Sequence, residues 1–112
     1  MSEDRKTRRY ALRFEVVYDD GEGYMSGPVH DISETGCYIE TVMPLAPGKK
    51  VLLTPLLEDE AGNFELAGEV VRANEYDLDR IDGETPGMGV RFIDPNPDFV
   101  AALLRVHAAE ED

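Results

Sequence analysis

Between residues 12 and 93 the chain passes through six short stretches that are alternately apolar or apolar throughout, joined by turn-forming clusters rather than by helical crossovers. The first is the plainest. Leu12, Phe14, Val16 and Tyr18 alternate with Arg13, Glu15, Val17 and Asp19, the period of a strand with one face in a core and the other in water. It stops at DDGEG, Asp19 to Gly23, a stretch suited to a hairpin. A second strand is expected from about Tyr24 to Asp31, with Pro28, which cannot donate to a ladder, predicting an edge or irregular position. The third, Cys37 to Val42, would set Cys37, Ile39 and Thr41 on one face. PLAPGK, Pro44 to Lys49, turns into a fourth, Val51 to Leu57; EDEAGN, Glu58 to Asn63, turns into a fifth, about Phe64 to Ala73. The acidic loop Glu75 to Pro86 leads to the sixth, GMGVRFI, Gly87 to Ile93. Six short strands in this arrangement favour an antiparallel barrel, whose closure also hides the sheet edges.

The period then changes. In DPNPDFVAALLRVHAAEED, Asn96 can cap a helix, Pro97 fits its first position and Asp98 suits its first turn. Phe99, Val100, Leu103, Leu104 and His107 follow at helical spacing, predicting a helix laid against the barrel. The expected fold is therefore all-β with a C-terminal helix, a six-stranded antiparallel barrel in one domain, since 112 residues leave no room for a second. Its parts would be a flexible basic arm at 1–10, the barrel at 11–94 and the helix at 96–109.

A single Cys rules out an internal disulfide, nothing resembles a signal peptide, and the longest apolar runs are far short of a membrane span. A soluble, cytoplasmic protein without membrane insertion is expected. The formal charge of −13 argues against broad binding to a nucleic-acid polymer, which needs an extended basic surface. The charge is unevenly placed. Residues 1–13 hold five basic and two acidic residues, a local +3, while the remainder holds six basic against 22 acidic, or −16. An acidic body of this kind repels a large polyanion, yet convergent arginines on the arm can still hold a small anion.

Those arginines lie in RRYALRFEV, where Arg8 and Arg9 are followed four residues on by Arg13. A second stretch with chemistry is HDISETGCYIE, His30 to Glu40. On an extended strand Asp31 and Ser33 project to the same side, and Gly36 follows where backbone can approach a ligand without a Cβ between. A carboxylate accepts two parallel hydrogen bonds, which fits the paired N–H donors on the Watson–Crick edge of guanine. The arginine fork fits phosphate oxygens or the O6/N7 edge of guanine, and its face stacks on a base. Together these groups describe a guanine-nucleotide phosphate site.

In these motifs the chain resembles the PilZ domains, bacterial receptors for the second messenger cyclic di-GMP. RYALR matches the family's Arg-x-x-x-Arg as Arg9 and Arg13, DISETG matches its Asp/Asn-x-Ser-x-x-Gly as Asp31, Ser33 and Gly36, and AGEVVRA and GMGVRF look like its later strands. The resemblance implies a six-stranded barrel with a C-terminal helix, no catalysis, no cofactor beyond the ligand cyclic di-GMP, and that ligand clamped between arm and barrel. Arg9 and Arg13 would contact phosphates and guanine, Asp31 and Ser33 would bond a guanine edge, and Gly36 would let the turn approach. Arg8, just before the motif, would influence whether one ligand or an intercalated pair is bound. With no output domain in the sequence, the receptor would act on a protein partner. The alternative is a barrel that keeps the fold and serves only as a protein interaction module.

Other candidates reduce to structure. Cys37 is expected as a small buried hydrophobe, His30 and His107 have no spaced metal-ligand partners, and no Ser–His or Cys–His pair has a third orienting group. In DLDRIDGE, Asp77 to Glu84, the fifth position is Ile81 and the glycine comes at 83, which does not fit a calcium loop.

Overall fold

The computed structural model describes residues 9–10, 14–56, 64–75, 85–94 and 96–111, with the side chains of 9, 10, 30, 31 and 107–111 excepted. Among the described residues seven strands and one helix follow in order: β1 (Arg9–Tyr10), β2 (Phe14–Asp19), β3 (Tyr24–Ser33), β4 (Gly36–Glu40), β5 (Lys50–Pro55), β6 (Leu66–Asn74), β7 (Gly87–Phe92) and α1 (Pro97–Glu111). The strands pair antiparallel in the order β1-β3-β2-β5-β6-β7-β4, and a further pairing of β4 with β3 closes the last six into a barrel. The expected architecture is present, and β1 pairs with the end of β3 on the edge opposite β4, the edge that β2 also occupies.

Alternation builds the wall. Along β2, Val16 and Tyr18 are buried while Glu15 and Val17 are not, and the same inward period continues through Ile39, Leu53, Val70, Met88 and Val90 in the common core. DDGEG makes its hairpin by local chemistry: the Gly21 amide donates to Asp19 Oδ1 at 2.8 Å, and the amides of Glu22 and Gly23 donate to Asp20 Oδ1 at 2.9 and 3.2 Å. Gly21 takes φ 94°, the left-handed region in which a Cβ is disfavoured. Pro28 sits inside β3 opposite Glu15, immediately before Val29, where the pairing with β4 begins.

The boundaries differ where tertiary contact decides them. β3 runs on to Ser33 because its last residues pair with β1 and β4. β4 ends at Glu40, leaving Val42 exposed. On α1, Asn96 Oδ1 accepts from the amides of Asp98 and Phe99 at 2.9 and 3.1 Å, satisfying two donors of the first turn. The helix presents Phe99, Ala102 and Leu103 to the core with Val106 packed beside them. Leu104, expected on that face, is 47% exposed, and the His107 side chain lies outside the described residues. The face is set by Phe99, which meets Phe64 and Phe92 edge-on at 5.6 and 6.0 Å and thereby fixes the helix's rotation.

Candidate functional site

The arm motif and the turn motif lie on neighbouring strands. Arg9 pairs with Ser33 and Tyr10 with Ile32, while Phe14, the residue after Arg13, pairs with Val29. Arg9 and Tyr10 of the arm motif therefore lie beside the end of β3 that holds Ser33. Arg8 and Arg13 themselves, and the side chains of Arg9 and Asp31, lie outside the described residues, as do the loop around DLDRIDGE and the EDEAGN turn.

Ser33 is fully buried, and its hydroxyl is committed to its own turn. It accepts from the Thr35 amide at 3.2 Å and lies 3.2 Å from Thr35 Oγ1 and 3.5 Å from the Gly36 carbonyl, either of which can take its single proton. The turn is tied to the barrel as well, because the Phe92 amide donates to the Thr35 carbonyl at 2.8 Å. Gly36 has a reason of its own to be glycine. A Cβ there would stand 2.4 Å from the Val90 carbonyl oxygen, so a side chain would push β4 off β7 and open the barrel. The expected reason, close approach to a ligand, is not needed to account for it. Cys37, next in line, is buried in the core.

Beside this turn the outer wall carries a cleft of about 210 Å³, with Thr35, Gly36, Tyr38, Val71, Arg72 and Gly89 among its walls and Ser33 beneath its surface. Its geometry follows from register. Asp31 pairs with Tyr38, Tyr38 with Gly89, and Gly89 with Arg72, so four strands contribute one row. A register shift between Val70 and Arg72 brings Arg72 opposite Gly89, the kind of local kink that re-aims a side chain. Gly89 leaves the middle of the row bare, and the Arg72 guanidinium crosses it to stand 5.3 Å from the centroid of the Tyr38 ring, within cation–π range. The Tyr38 hydroxyl donates to the Thr85 carbonyl, which also accepts from Asn74 Nδ2 at 3.1 Å. Two residues along, the row Gly36, Arg91, Glu69 flanks the cleft, with Arg91 held by Glu69 at 2.9 Å.

Tyr38, Arg72 and Gly89 are the residues that the motifs do not reveal. The available signals are a tyrosine between two inward-facing residues and a glycine inside a strand, which often marks a close approach. Neither places Arg72 beside Tyr38, since 34 residues separate them in the chain. Among the described residues no group of three or more His, Cys, Asp or Glu side chains is placed to hold a metal ion, and no helix is long and apolar enough to cross a membrane.

The PilZ domain family model matches residues 3–108. No relative among the curated proteins matches. Several solved structures share the fold. The inhibitor of motility MotI/DgrA from Bacillus subtilis superposes with a TM-score of 0.76 at 18% identity, over 98% of this chain and 52% of that one. The PilZ domain of YcgR from Escherichia coli, solved with c-di-GMP, gives 0.69 at 19% identity over 97% and 92%. The MrkH–c-di-GMP complex of K. pneumonia gives 0.64 at 16% identity over 94% and 50%. The present chain thus spans about half the length of the Bacillus and MrkH proteins.

Proposed function

This chain belongs to the PilZ domain family, whose model covers residues 3–108, and we propose that it is a receptor for cyclic di-GMP that reports the messenger to a protein partner. Two of the structures sharing its fold, YcgR and MrkH, are complexes with that nucleotide. The observation that carries the reading is the register: Arg9 faces Ser33 across two strands, and Asp31 begins the row that crosses the cleft. Arg8, Arg9 and Arg13 would meet the phosphates and guanine, Asp31 the paired N–H donors of a guanine edge. Ser33 supports this site chiefly by shaping the turn, as its hydroxyl already serves Thr35. The partner is read as a protein because a body of charge −16 repels nucleic-acid polymers.

Magnitudes are adequate. Micromolar affinity needs about 8 kcal/mol, and good bidentate arginine contacts contribute about 1–3 kcal/mol each, against roughly 1–2 kcal/mol for each arm residue ordered. Calorimetric titration of the full chain with cyclic di-GMP tests the proposal and returns stoichiometry with affinity. Binding is expected at micromolar or tighter, and Arg9→Ala or Asp31→Ala should abolish it with the unliganded melting temperature nearly unchanged. No heat from the unsubstituted protein would leave the interaction-module reading in its place.

A further inference from the structure

The outer wall of a barrel does not require a guanidinium laid over a tyrosine across a bare glycine, with a valine half exposed beside it, yet β4, β7 and β6 assemble that group in one cleft. We infer that Tyr38, Gly89 and Arg72 form a stacking shelf for one purine base of the bound nucleotide, an inference that rests on the cyclic di-GMP reading. Tyr38 is 9% exposed, and its ring is held by the hydroxyl bond to Thr85. Arg72, by contrast, is exposed. The surface a ligand would meet is therefore the exposed Arg72 guanidinium, backed by the Tyr38 ring at 5.3 Å. A planar cation stacks on a base face and draws the adjoining phosphate. Gly89 supplies the floor, since a Cβ there would meet Arg72 Cγ at 3.3 Å. Val71, 50% exposed, adds an apolar wall.

Size supports one ring rather than the whole ligand. A cleft of about 210 Å³ is smaller than the roughly 300–1,000 Å³ of pockets that enclose a drug-sized molecule. Position supports it too, because the shelf continues the row that Asp31 begins. A base stacked on Arg72 is thereby within the same site as the motif residues, and the shelf would add sequence-distant contact to the two known motifs.

The test titrates cyclic di-GMP into the full chain carrying Arg72→Ala, Arg72→Lys or Gly89→Val, with Arg9→Ala alongside. Arg72→Ala should weaken binding about tenfold. Arg72→Lys should weaken it comparably, because lysine keeps the charge and loses the plane. Gly89→Val should also lose affinity, its side chain filling the floor and displacing the Arg72 side chain that crosses it. Full affinity in Arg72→Lys overturns stacking in favour of charge alone. If all three variants bind within twofold of the unsubstituted chain while Arg9→Ala does not, the shelf is wrong and the receptor reading stands. If the unsubstituted chain fails to bind, both fall. Should Gly89→Val not fold, the two Arg72 variants decide.

Discussion

Single atoms explain why two of the motif residues are what they are. The place of a Gly36 side chain is taken by the Val90 carbonyl at 2.4 Å, and the Ser33 hydroxyl closes the β3–β4 turn from a fully buried position. Both would be required for the barrel to close even with no ligand in contact. Overpacking of this kind typically costs about 1–3 kcal/mol, so Gly36→Ala should lower the melting temperature of the free protein by roughly 5–15 °C. Calorimetric melting checks this. An unchanged midpoint together with lost binding would show that the glycine serves the ligand alone.

At the level of elements, α1 is capped locally and oriented remotely. Asn96 starts it by taking two amides, but the side that faces inward is chosen by Phe99 lodged against Phe64 and Phe92. Phe99 is 1% exposed. Truncating a buried phenylalanine costs about 3–5 kcal/mol, a large share of the roughly 5–15 kcal/mol that holds an ordinary domain. Phe99→Ala should therefore shift the urea midpoint strongly downward with no change in slope. A loss under about 1 kcal/mol would mean that the helix is not a part of the core.

Across the whole molecule, charge and topology act together. Arg9 and Tyr10, at the end of the basic leader, pair with β3 of an acidic body. We expect cyclic di-GMP to close residues 1–10 over the cleft and so present a new surface to the partner. Amide exchange measured with and without saturating ligand should show the leader slowing on binding. Equal exchange in both states would remove the switch while leaving the receptor intact.

Much of the fold is legible from local spacing. The period of two in β2, the Asp and Gly residues of its hairpin and the Asn-Pro-Asp helix start each act within a few residues, so a linear reading reaches them. Both motifs stand out for the same reason. What spacing cannot give is register between strands far apart in the chain. Only the pairing of strands in the folded barrel sets Arg9 opposite Ser33, puts the Val90 carbonyl where a Gly36 side chain would go, and lines Asp31, Tyr38, Gly89 and Arg72 in one row. The helix face belongs with these, because which side of an amphipathic helix is buried depends on the shape of the surface that receives it.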